Sequence, residues 1–329
     1  MARPEHVWEL RPSEQLAAED PVPSAVALAV PFPRLLGHAA SDGFAGRRDQ
    51  LTMLEERWQT SSSGRRCAVL VAGEPGIGKT RLAAEAAQAA YEKGAFVLYG
   101  RCDEDLAVPF QPFAEVLDQL ATTATGGLAD RLGAQPGELL RLCSRLGEVV
   151  PRLDPPIVSD PGSERFALFE AMASLLTSIG GSAGTVLVLD DLHWASRPTL
   201  LLLRHVLRRT SEAPLLIVGT YRDTDVDRTH PLADLVADLR REPGVERLAL
   251  AGLVPEEVEE FVVETAGHDL DCAARSWLRL CTPRHLATRC LLVRCSGTWL
   301  RAGQCDELVA AGGSRREQQP TSCLKGFAT

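Results

Sequence analysis

Three short clusters hold most of the residues able to do chemistry. The first, GEPGIGKT at Gly73–Thr80, fits the spacing G-x-x-x-x-G-K-[ST]. Gly76 and Gly78 let such a loop curl until its backbone N–H groups face an anion. Lys79 then brings a cation to the β- and γ-phosphates of a nucleoside triphosphate, and Thr80 offers a hydroxyl to Mg²⁺. The expected cradle is Gly73, Glu74, Pro75, Gly76, Ile77, Gly78, Lys79 and Thr80, with ATP and Mg²⁺ as its ligands.

The second cluster is VLVLDDLHW at 186–194. An acid at the C-terminal end of a buried apolar run can hold the hydration shell of Mg²⁺, and Asp190 suits that role. Asp191 falls where a base could orient the attacking water. The reverse order of the two acids stays open, as does a helix N-cap made by the pair. The third cluster, IVGTYRD at 217–223, ends an apolar run with Thr220, Tyr221 and Arg222. If that run lies beside the one preceding the glycine loop, Arg222 faces the γ-phosphate; a plain surface arginine is the competing reading. Lys79, Asp191 and Arg222 form the expected catalytic set, with Thr80 and Asp190 on the metal side. His193 and Trp194 read as packing and capping residues, and no Ser–His–Asp arrangement or metal-ligand cluster stands out.

These side chains need a scaffold, and the hydrophobic pattern supplies one. Short continuous apolar runs at 67–73, 95–102, 185–191, 214–222 and 245–253 read as strands covered on both faces. Helical patterns separate them: 46–58, with Leu51, Leu54 and Trp58 on one face, then 80–94, then two or more helices across 110–180, then a helix through TLLLLRHVLRRT. Strands alternating with helices imply a three-layer α/β fold around a parallel sheet. The stretches 60–66 and 151–163 read as loops.

Composition narrows the class. The 329 residues are 45% hydrophobic and 24% charged, a globular balance. There is no apolar run near the roughly 20 residues that a membrane span needs, nor a basic-then-apolar leader. A cytoplasmic protein is expected, and its nine cysteines are expected to be reduced thiols. Charge is uneven: residues 272–329 carry nine Lys/Arg against three Asp/Glu, so +6, leaving −15 for residues 1–271. An acidic body of that size argues against nucleic-acid binding as the main task.

Taken together, FAGRRDQL, GEPGIGKTRLAAEAA, VLVLDDLHWAS and LLIVGTYRDTDVDRTHPLADL resemble the signal-transduction ATPases with numerous domains (STAND), an AAA+-like, Orc1-type branch of the P-loop ATPases. The likeness is to the ATPase module of large LuxR-type regulators and of proteins linked to a class III nucleotidyl cyclase, and it spans 44–270. It implies a switch cycling between ADP- and ATP-bound states, and strand order 5-1-4-3-2. Two departures accompany it. An acid usually follows the Gly-Arg of the first motif, whereas Gly46–Arg47 is followed by Arg48, and no G-N-P lid motif occurs between 270 and 329. PEHVWELRPSE at 4–14 looks like the end of a cyclase-linked segment, within a stretch (1–43) that reads as linker. Residues 271–329 read as an atypical basic tail with six of the nine cysteines, a truncated lid or the product of a shifted reading frame. A slowly hydrolysing regulatory ATPase is the leading expectation, with a protein partner or self-association and no helix-turn-helix in this chain. A nucleotide-binding fragment without turnover and a small-molecule phosphotransferase are the alternatives.

Overall fold

In a computed structural model, residues 28–40, 44, 46–105, 108–227, 229–239 and 241–266 are described. Five strands form one sheet: β1 (Cys67–Ala72), β2 (Phe96–Arg101), β3 (Thr185–Asp190), β4 (Leu215–Tyr221) and β5 (Val245–Ala249). All pairings are parallel, in the order β2-β3-β4-β1-β5. This is the three-layer α/β fold and the strand order that the resemblance implied. Nine α-helices are described: α1 (Arg34–Ala40), α2 (Arg48–Ser62), α3 (Lys79–Glu92), α4 (Gln111–Thr123), α5 (Leu146–Val149), α6 (Pro161–Ser178), α7 (Arg197–Arg209), α8 (Pro231–Leu239) and α9 (Pro255–Ala266).

Strand side chains alternate between two faces, so each apolar strand feeds two cores. On one face Val69, Val71, Val186, Val188, Leu216 and Val218 meet Leu54 and Trp58 of α2, Leu82 and Ala87 of α3, and Leu36 of α1. On the other, Leu98, Leu187, Leu189 and Ile217 meet Phe113 and Leu117 of α4, Leu175 of α6, Leu203 and Leu207 of α7, and Leu235 of α8. Every residue of β1, β3 and β4 is buried. Edge strand β5 is only half covered, although its sequence reads like the others.

Local structure departs from the sequence reading in three places. The stretch 60–66 was expected to be a loop, but α2 runs on to Ser62 because Trp58 and Ser61 are buried. The hydroxyls of Thr60, Ser61 and Ser62 donate to carbonyls one turn earlier, which lets these poor helix formers stay in the last turn. The loop expected at 151–163 ends early: Asp160 caps α6 by accepting from Gly162 N and Ser163 N, and Pro161 takes the first helical position. Inside the expected linker, α1 packs on α3 with Leu36 fully buried, while residues 1–27 and 41–43 lie outside the described residues. The basic tail from 271 also lies outside them, as does any lid motif there. Among the described residues, no helix is long and apolar enough to cross a membrane, and Cys67, Cys102 and Cys143 are buried free thiols.

Candidate functional site

The glycine loop joins β1 to α3, where the strand-end and helix-start geometry meet. Gly76 and Gly78 adopt φ of +74° and +98°, conformations that favour glycine. Gly78 precedes the first turn of α3, so the free N–H groups of that helix open into the loop. Glu74, Pro75 and Gly76 are exposed at the rim, and Ile77 is buried beneath it. Lys79 is buried too, and its Nζ donates to the carbonyls of Gly73 and Glu74 at 3.0 and 2.9 Å. Burial holds this ammonium below its ordinary pKa; the charge of Asp191 opposes the shift and that of Arg222 adds to it.

Asp190 ends β3 and is 3% exposed. Its Oδ1 accepts from Thr220 Oγ1 at 2.5 Å and from Thr80 Oγ1 at 2.8 Å. Burial pushes this carboxyl up from its ordinary pKa, against the pull of the Thr220 and Thr80 hydrogen bonds. Asp191 follows with φ +56°, a left-handed turn that breaks the strand and swings its side chain away from its neighbour's. Its N–H donates to Thr220 Oγ1 at 3.0 Å, so one hydroxyl ties the two acids together. The Asp191 carboxylate stands 3.3 Å from Arg101 Nε and 3.9 Å from His193 Nδ1.

Strand β4 lies between β1 and β3, which meets the condition set for the third cluster. Arg222 is near enough to Lys79 to lower its pKa, but its closest anion is Asp225 at 3.5 Å. Its guanidinium also lies over the Trp194 ring, 5.9 Å from the centroid. His193 is 2% exposed, and neither ring nitrogen has a hydrogen-bond partner among the described residues. Burial, then Arg222, lowers its pKa to about 4 despite Asp225 at 3.8 Å. The site thus brings together Lys79, Thr80, Asp190, Asp191 and Arg222, and adds His193 as a buried neutral imidazole.

Four residues here were not assigned roles from sequence. Tyr99 and Arg101 reach the acids from β2, and only the strand order reveals that. Thr220 was named as polar, but its bridging hydroxyl depends on register. Arg47, with φ +60°, is buried: its N–H donates to Glu257 of α9 at 2.9 Å and its guanidinium to the Ala251 carbonyl at 2.6 Å. Burial lowers its pKa, with Glu257 opposing. Arg48, where the resembled family carries an acid, pairs instead with Glu260 of α9.

These groups suit one kind of ligand. A buried ammonium held, among the described residues, by two backbone carbonyls at the start of a glycine loop suits a polyanion. The adjacent hydroxyl and carboxylate are hard oxygen donors of the sort a small divalent cation takes. Fold and site therefore define an ATP-type P-loop domain. The chain belongs to the AAA ATPase domain family, which matches residues 43–218. An uncharacterized protein of Rhizobium meliloti (strain 1021) is 24% identical over 193 residues, 54% of this chain, and the chain spans only 18% of that protein's length. Among solved structures the fold is similar to a Walker-type ATPase of Pyrococcus abyssi, at 14% identity over 82% of this chain and 71% of that one, with TM-score 0.46. AMPPCP-bound DnaA from Aquifex aeolicus is similar at 13% identity, 82% and 65% coverage and TM-score 0.43. The Thermotoga maritima RuvB Holliday junction branch migration motor is similar at 18% identity, 77% and 61% coverage and TM-score 0.41.

Proposed function

We propose that this domain is an ATP-hydrolysing regulatory switch of the STAND type, the nucleotide-handling module of a LuxR-type or cyclase-linked regulator. The observation that carries the catalytic part is the convergence of Lys79 and Thr80 after β1 with Asp190 and Asp191 after β3, two strands separated only by β4, with Asp191 already close to a cation and an imidazole. The N–H groups of residues 73–80 and the Lys79 ammonium bind the phosphates. Thr80 and Asp190 would hold Mg²⁺, which would neutralise phosphate charge. Asp191 orients a water and accepts its proton as the water oxygen bonds to the γ-phosphorus and the bond to the β–γ bridging oxygen breaks, its electron pair leaving on the β-phosphate, giving ADP and inorganic phosphate. Arg222 approaches from β4 and steadies the γ-phosphate edge, with Trp194 as its platform. His193, with Nδ1 3.9 Å from Asp191 Oδ1, limits where the carboxylate can turn.

The regulatory part rests on the resemblance carried by FAGRRDQL, GEPGIGKTRLAAEAA, VLVLDDLHWAS and LLIVGTYRDTDVDRTHPLADL. In such a module slow turnover sets how long the ATP-bound state lasts, and a protein partner or self-association reads that state. Turnover without any phosphate acceptor would separate a switch from a phosphotransferase. Purified full-length chain is expected to release phosphate from ATP alone, and Lys79→Ala is expected to lose ATP binding at micromolar concentration by calorimetry. Unchanged affinity in Lys79→Ala would refute the assignment of the loop, and binding without phosphate release would leave a non-hydrolysing nucleotide sensor.

A further inference from the structure

Tyr99 lies outside all three motif clusters, yet its hydroxyl reaches the acid at their centre. We propose that Tyr99 is a positioning residue for Asp190, holding the carboxylate in place for a divalent cation together with Thr220. The inference rests on the reading of Asp190 as the cation-side acid.

Among the described residues, Asp190 has three side-chain donors. Thr220 Oγ1 donates to Oδ1 at 2.5 Å, Tyr99 OH donates to Oδ2 at 3.3 Å, and Thr80 Oγ1 lies 2.8 and 3.0 Å from the two oxygens. Tyr99 comes from β2 and Thr220 from β4, the strands on either side of β3. Thr80 is the one donor that belongs to the phosphate loop. A cation on Thr80 Oγ1 would take an oxygen lone pair and leave its single proton for one carboxylate oxygen only, so with that proton on the nearer Oδ1, Tyr99 is the side-chain donor among the described residues that serves Oδ2. A buried carboxylate oxygen without a donor is strongly disfavoured, so the group would rotate or recruit another partner. One donor from each flanking strand prevents that rotation and keeps the carboxylate edge toward Thr80 available.

The scaffold around Tyr99 is built to hold this hydroxyl. The ring is buried among Val97, Val186 and Val188. Its backbone N–H donates to Gln119 Oε1 of α4 at 3.1 Å, and Gln119 Nε2 returns a bond to the Val97 carbonyl at 3.0 Å. These two bonds close the free edge of β2. Gly100 lets α4 approach this closely, since a Cβ there would stand 2.0 Å from the Pro112 carbonyl oxygen. The hydroxyl is therefore placed by a strand and a helix, not by a loop. Phenylalanine would fill the same space and remove only the hydroxyl.

The test uses the full chain and measures ADP binding by calorimetry, in EDTA and across a Mg²⁺ titration, with Mn²⁺ as a second cation. Tyr99→Phe should weaken the Mg²⁺-linked part of ADP binding about tenfold, in line with other residues that orient metal ligands. Its affinity in EDTA and its thermal midpoint should match wild type, and the Mn²⁺ titration should shift in parallel. Asp190→Asn should abolish the Mg²⁺ dependence. If Asp190→Asn is defective while Tyr99→Phe titrates like wild type, Tyr99 is core packing alone and the inference is overturned. Equal weakening with and without Mg²⁺ overturns it too. If Asp190→Asn keeps the full Mg²⁺ response, the assignment of Asp190 itself fails.

Discussion

His193 makes acid stability a quantitative test of the site's electrostatics. Its ring is buried in the turn after β3, both nitrogens lack hydrogen-bond partners among the described residues, and its pKa is lowered from 6.5 to about 4, first by burial. A base whose pKa is lowered by folding is held neutral in the native state, while the unfolded chain protonates it normally. Its contribution is therefore complete above pH 6.5 and is lost as pH falls through the window from 6.5 to about 4. The linkage relation gives a loss of about 2 kcal/mol at pH 5 relative to pH 8, rising to a limit of about 3 kcal/mol below pH 4. Asp225, at 3.8 Å, attracts the imidazolium, but burial and Arg222 outweigh it and leave the pKa lowered. The assay is urea unfolding of wild type and His193→Gln at half-unit intervals from pH 4.5 to 8. The difference between the two should be flat above about pH 7 and should shift in favour of His193→Gln by about 2 kcal/mol by pH 5. Parallel curves would show that the imidazole is not held neutral, and the electrostatic picture of the site would fall with it.

Other substitutions probe separate parts of the molecule. Asp191→Asn should cut kcat by roughly 10²–10⁴ while ATP still binds; if Asp190→Asn alone stops turnover, the two roles are reversed. Gly100→Ala should cost about 3 kcal/mol or more, read as a lower urea midpoint, because the new Cβ meets the Pro112 backbone at 2.0 Å and 2.6 Å. Asp160→Ala removes the side-chain bonds to Gly162 N and Ser163 N and should lower Tm by about 2–4 °C by calorimetry.

Much of this molecule is legible in its amino-acid order because local chemistry decides it. Gly76 and Gly78 are needed wherever a phosphate loop must take positive φ, and Lys79 and Thr80 follow by spacing alone. The continuous apolar runs of β1, β3 and β4 announce strands covered on both sides, and all their residues are buried. Other features depend on contacts between distant segments. Burial of Trp58 carries α2 through residues that favour a loop, and packing on α3 orders α1 within a proline-rich stretch. Tyr99 and Arg101 read as ordinary strand residues until β2 is set against β3, with Arg101 opposite Asp190. Thr220 gains its bridging role only because β4 lies beside β3, and His193 becomes a buried neutral base only once packing removes it from water and brings Arg222 near it. Spacing specifies which groups can meet a phosphate. Which neighbours orient those groups depends on strand register, and that emerges only when the sheet closes around its two cores.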